Sequence, residues 1–166
     1  MARIGNTVNL ENNSRYDILI YDYPEGYPAG KIDLLFGKTP KRISGVQKVS
    51  QVFLKTLMTY VGSDVVHSGK GTEFPSFTGA RNLQLTDLGE INAAISDAVA
   101  MAESQSKSIL NVTSEGLSSQ LDSAQVQSID QLDDSTTINV RLLTKAGETA
   151  PIALPFTSLG LQVDKE

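Results

Sequence analysis

At 166 residues the chain is long enough to bury a core of ordinary size, and with no cysteine it holds that core without disulfides or thiolate metal ligands. Hydrophobic residues make up 40% and charged residues 20%, the balance of a globular domain, and no apolar run approaches the ~18 residues that span a bilayer. The net charge of -5 argues against nucleic acid as the main ligand, because neutralising phosphates needs a basic face.

The opening MARIGNTVNLENN lacks the apolar stretch of a signal peptide, so folding in a reducing cytoplasm is expected. Charge is unevenly spread. Residues 31–55 hold six bases (Lys31, Lys38, Lys41, Arg42, Lys48, Lys55) against Asp33 alone, whereas residues 108–140 hold five acids (Glu115, Asp122, Asp130, Asp133, Asp134) and no base. This makes either two ordinary solvated surfaces or a dipolar subunit whose ends meet oppositely charged neighbours.

Residues 1–14 are polar and predict a flexible arm. Residues 16–23 (YDILIYDY) and 31–36 (KIDLLF) predict a strand pair joined by the turn-rich PEGYPAG, and 38–42 form a basic connector. In 46–61, Val46, Val49, Phe53, Leu57 and Tyr60 recur at helical spacing, with Lys48, Gln51, Lys55 and Thr59 on the opposite face. Leu54, Met58 and Val61 widen the apolar arc, which predicts a largely buried second half, and Gly62 supplies a stop. Residues 62–81 lack periodicity, and a loop of that length is usually functional or mobile.

A second helix is predicted from about Asp87, where Asp87 and Glu90 have capping-box spacing. Ile91, Ile95, Ala98, Val99, Ala102 and Ile109 form its stripe, small enough for the first helix to approach closely. The serine-rich 111–121 predicts a loop. Three strands follow: 124–131, with imperfect alternation, then 137–144 and 150–154, joined by turns at 133–135 and 145–148 into an antiparallel meander. Ile138, Val140 and Leu142 face one side of the middle strand; Asn139, Arg141 and Leu143 face the other. Pro151 and Pro155 remove donors from one rim, which marks the last strand as an edge and directs any added strand to the opposite edge or to an arm of the chain. The expected fold is α+β, with one domain over 15–156 and a tail over 157–166.

Chemical motifs are incomplete. Gly69-Lys70-Gly71-Thr72 resembles part of a phosphate loop, but the upstream glycine is misplaced, glycine follows the lysine, and a helix precedes the loop. His67 is the only histidine and has no partner set for zinc. A Ser-His-Asp triad could be drawn with Asp64, yet no nucleophile motif selects a serine. Glu73, Glu90 and Glu103 are acids near apolar residues without the paired arrangement of a glycosidase, and Asp133-Asp134 fits a turn. No catalytic residue, metal or cofactor is expected.

The order of elements, with GVQKVSQVFLKTLMTYVGSD, the Gly71-Thr72 loop end and the closing INVRLLTKAGETAPIALP, resembles the baseplate wedge or sheath-initiator family of contractile phage tails, related to a type VI secretion baseplate subunit. The likeness covers roughly 44–156. Many members carry a Glu-Pro-Arg motif late in the second helix; here Glu103-Ser104-Gln105 keeps only the glutamate. The resemblance implies a non-enzymatic subunit of the virion's tail baseplate, assembled in the host cytoplasm. Its partners would be the tail sheath subunit, baseplate wedge proteins and tail tube proteins, with no nucleic acid or membrane. It further implies that the sheet accepts an extended arm of a sheath subunit by β-augmentation. Asn139, Arg141 and Leu143 on the meander and Glu103 on the helix are the candidate contacts. The rival readings are another tail component, a terminator or connector, and a peptidoglycan hydrolase.

Overall fold

The computed structural model describes residues 42–78, 88–111, 116–132 and 135–157, with three short strands at 17–18, 21–22 and 33–34. The strands are β1 (Asp17–Ile18), β2 (Tyr21–Asp22), β3 (Asp33–Leu34), β4 (Arg42–Ile43), β5 (Leu121–Leu132), β6 (Ser135–Thr144) and β7 (Thr149–Thr157). The helices are α1 (Gly45–Leu57), α2 (Phe74–Thr78) and α3 (Leu88–Leu110). The class is α+β, with the long strands gathered after the helices. The expected arm over 1–14 lies outside the described residues, as does the tail after Thr157, the last residue of β7.

Of the N-terminal pair, β2 and β3 are antiparallel, with Tyr21 opposite Leu34. β1 pairs elsewhere: Asp17 lies opposite Ile43 of β4, so the end of the expected basic connector is a strand. Ile43 is buried, and the apolar side chain draws this end of the connector into the structure.

Helices α1 and α3 pack on each other and on one face of the β5–β6–β7 sheet. Val49, Phe53 and Leu57 of α1 meet Ile95, Ala98 and Ala102 of α3 above Val140, Leu142, Ile152 and Leu154 of the sheet. The alanines allow the close helix approach that the stripe predicts. Gln51, expected on the solvated face, is only 4% exposed, and a 3-10 turn at Leu117–Ser119 packs on α1 in addition to α3 and the sheet. That turn also caps the helix: Gly45 N–H donates to Ser119 Oγ (3.2 Å), whereas the side chain of Ser44 at the N-cap does not. The turn falls in the span expected as a plain loop.

Two further boundaries differ from the sequence pattern. α1 ends at Leu57 instead of running to Val61, and Met58 is 41% exposed. The chain turns there because Thr72 Oγ1 donates to Leu57 O (2.7 Å) and Tyr60 forms a parallel bridge with Thr72. In α3, Ile109 is 43% exposed while Ser106 and Leu110 complete the stripe. The last turn leans toward β5, where Asn111 Nδ2 donates to Leu121 O (3.2 Å). Asp87, the expected cap, lies outside the described residues; α3 begins at Leu88.

The sheet is antiparallel in the order β5-β6-β7, so β6 is central. β5 spans twelve residues, more than the alternation implied. Of its apolar residues, Leu121, Ala124, Val126 and Ile129 pack on the core. Irregularities between Leu121/Ser123 and Val126/Ser128 each add one residue, so the interrupted alternation still brings all four to the core face.

Candidate functional site

The two rims of the sheet are unlike, and hydrogen bonds at the β6–β7 turn establish their directions. Lys145 N–H donates to Gln120 O (3.0 Å) on the β5 side, and Thr144 N–H donates to Glu148 O (2.9 Å) on the β7 side. Odd-numbered residues of β6 therefore turn their backbone groups to β5 and even-numbered residues to β7. Pro151 and Pro155 lie opposite Arg141 and Thr137, which places both on the outer rim of β7 and leaves donors there only at Thr149, Ala153 and Thr157.

On the other side Ala124, Val126, Ile129 and Gln131 turn away from β6. The first stretch of this rim is covered by α3. Ala124 N–H donates to Glu103 Oε2 (2.9 Å), and Leu121 O is taken by Asn111. Among the described residues no strand pairs with the rim beyond Ala124, and no hydrogen bond reaches the outward groups of Val126 or Ile129. Their side chains are half-buried against the core, so a strand laid beside them would complete their cover.

The four expected contact residues separate into two places. Asn139, Arg141 and Leu143 share the outer face of β6, away from the helices. Asn139 Nδ2 donates to Ser128 Oγ (2.9 Å) and Asp130 Oδ2 (2.8 Å), so it ties β6 to β5. Leu143 is half-buried, and Arg141 is exposed with no ion pair among the described residues. Glu103 lies instead at the β5 rim, with Oε1 paired to Lys107 Nζ (2.5 Å) and Oε2 on Ala124. Both its oxygens are engaged within the chain. As the central strand, β6 has both rims filled and offers a partner only its outer face.

The loop after α1 is closed at its base. Thr72 is fully buried; its N–H donates to Thr59 O (2.8 Å), its carbonyl accepts from Val61 N–H (3.1 Å), and its hydroxyl accepts from Phe74 N–H (3.1 Å). Gln105 of α3 clamps the same place: Oε1 accepts from Gly71 N–H (2.8 Å), and Nε2 donates to Gly71 O (2.9 Å) and Gly69 O (3.3 Å). Gly71 N–H, a donor a bound phosphate would need, is thus already used. At the tip Val65 and Val66 are 97% and 82% exposed. Asp64 Oδ1 accepts from the N–H groups of Val66 (2.9 Å) and His67 (3.2 Å), which hold its carboxyl below the usual range, and His67 Nδ1 lies 3.4 Å from Oδ2.

Searches against family models, curated proteins and solved structures return no match. Among the described residues there is no group of three or more His, Asp or Glu side chains able to hold a metal, and no helix long and apolar enough to cross a membrane. Gln105, Asn111 and Ser119 escape the sequence reading because their partners lie 34, 10 and 74 residues away. No local signal distinguishes them from surface polar residues.

Proposed function

We propose that the chain is a structural baseplate subunit of a contractile phage tail that nucleates sheath assembly by offering its sheet to the extended arm of a sheath subunit. Two things support the reading: the resemblance over 44–156, and a three-stranded sheet with one rim blunted by Pro151 and Pro155 and the other unpaired beyond Ala124 among the described residues. The unlike rims carry the argument, since an acceptor for one added strand needs one open side.

The mechanism is β-augmentation, with backbone hydrogen bonds giving affinity and alternate side chains giving register. Val126, Ile129 and Gln131 each present one donor and one acceptor. At a net 0.5–1.5 kcal/mol per bond, six such groups supply about 3–9 kcal/mol before the cost of ordering the arm. A single arm therefore binds weakly, and contacts of the rest of the sheath subunit with the outer face of β6, Arg141 foremost, add the remainder. Wedge and tube proteins would meet other surfaces, and the chain would act in the virion without catalysis.

The test mixes baseplate or tube carrying this chain with the sheath subunit from the same genome and follows sheath growth by electron microscopy. Growth that needs the chain, and that weakens with Arg141→Glu while the fold stays intact, is the expected result. Sheath that forms equally well without the chain would overturn the reading in favour of a wedge brace or connector.

A further inference from the structure

We infer that the acceptor rim is β5 from Val126 to Leu132, that it takes a cationic extended segment of a partner protein, and that Glu103 ends the pairing at Ala124. The inference rests on the strand-acceptor reading and adds which rim, which partner chemistry and which residue sets the register.

The rim follows from the backbone. A row of outward donors and acceptors at strand spacing is satisfied by water or by another strand, and β7 has lost two of its outward donors to proline. The length of the open stretch follows from α3, whose Glu103 and Asn111 occupy the backbone groups of Ala124 and Leu121 as an added strand would. An incoming strand can extend past Val126 only by displacing a carboxylate that is also held by Lys107. Glu103 is thus a register stop, a positioning residue for the partner's strand.

The charge of the partner follows from the acids. β5 carries Asp122 and Asp130 and no lysine or arginine, and the next residues in sequence are Asp133 and Asp134. Asp130 is hydrogen-bonded to Asn139 but has no cation beside it among the described residues. Of the nearby cations, Lys107 is paired with Glu103, Lys145 donates to Gln120, and Arg141 lies opposite Gln125 at the covered end. A strand that sets lysine or arginine beside Asp130 meets attraction on the open stretch, and an acidic one meets repulsion.

The probe is a seven-residue synthetic peptide alternating valine and threonine with a lysine at each end, compared with its glutamate-ended counterpart. Amide hydrogen exchange is read by NMR on the full chain. The lysine peptide should slow exchange at Val126, Ile129 and Gln131 and leave Ala153 unchanged. It should bind roughly tenfold more tightly than the glutamate peptide at low ionic strength, with the gap closing in high salt. In Glu103→Ala the free Ala124 amide should exchange faster and the peptide should now protect it; in Glu103→Gln, which keeps an acceptor, the stop should remain. Ile129→Pro removes an outward donor without touching the β6 ladder and should abolish binding, with Gln131→Pro carrying the same test if the first variant unfolds.

Protection at Ala153, no protection at either rim, or equal binding of the two peptides would overturn the inference. Its failure is separable from that of the assembly reading. Sheath growth that needs the chain without rim protection sinks only the rim assignment, whereas rim protection with chain-independent growth sinks only the initiator.

Discussion

Alanine at Gly62, Gly69 and Gly71 separates three physical effects within one loop. Gly71 has φ +99°, and an added Cβ would stand 2.4 Å from Thr59 O and 2.9 Å from the carbonyl carbons of Thr59 and Tyr60. Those atoms are backbone and cannot swing aside. The conformation alone costs a non-glycine residue about 1–3 kcal/mol. Relieving the clash pulls on the bonds from Thr72 N–H to Thr59 O and from Val61 N–H to Thr72 O, each worth about 1 kcal/mol. Gly71→Ala should therefore destabilise by about 3–5 kcal/mol. Gly62 has φ +83° with nothing within 4 Å of an added Cβ, so its alanine carries only the conformational cost, about 1–2 kcal/mol. Gly69 lies outside the left-handed region in open space, and alanine there should be neutral or stabilise by about 0.5 kcal/mol. Urea unfolding followed by circular dichroism gives the comparison. With a slope of about 2 kcal/mol per molar, the midpoint should fall by about 2 M for Gly71→Ala, by under about 1 M for Gly62→Ala, and not at all for Gly69→Ala. If Gly71→Ala costs no more than Gly62→Ala, the close approach of Gly71 to Thr59 is not a real constraint and the closed base of the loop is wrong.

Gln105→Ala removes three hydrogen bonds to the same base and strands Gly71 N–H, so about 2–4 kcal/mol should be lost, with faster amide exchange at Gly71 as the specific sign. At the tip, the amides of Val66 and His67 lower the carboxyl of Asp64 below its ordinary 3.8. A lowered acid contributes order that is complete above its unfolded value and lost as pH falls through the lower folded value. The Val66 and His67 amide shifts should thus hold steady down to about pH 4 and move only below it, and Asp64→Asn should remove that titration; movement centred above pH 4 would contradict the bonds. Ser106 Oγ is buried with no hydrogen-bond partner among the described residues, so Ser106→Ala should stabilise by about 1 kcal/mol in thermal or urea unfolding, and a loss instead would reveal a partner.

The sequence carries the elements whose periodicity packing leaves undisturbed. Ile138, Val140 and Leu142 alternate cleanly and are buried as a set; Ile95, Ala98, Val99 and Ala102 hold helical spacing and do the same. The prolines of β7 reveal a rim because their effect is covalent. Legibility fails where a distant group intervenes. The bulges at Asp122 and Gln127 break the period of β5, which made the longest strand of the meander look the weakest. α1 stops at Leu57 because a hydroxyl 15 residues away takes its carbonyl, a partner no helix-end signal encodes. Glu103 and Asn139 look like solvent-facing residues available to a partner, yet both are engaged in long-range bonds of this chain. Arg141 alone among the expected contacts is exposed with no ion pair among the described residues.

The acidic rim bears on a difficulty common to any protein that keeps a strand edge open, namely pairing with its own kind. Two copies meeting rim to rim along the open stretch of β5 in antiparallel register would bring the Asp130 carboxylates of the two copies toward each other. Like charges on adjoining strands are destabilising, and the two bulges further twist the rim away from the flat edge that self-pairing needs. The outer rim of β7 excludes self-pairing differently, by lacking donors. On the proposed reading, one sheet would thus use covalent blocking on one side and charge on the side that admits a strand. A cationic arm would reverse the sign of the interaction that repels a second copy, so the residues that disfavour self-pairing at this rim would be the ones that select the proposed partner.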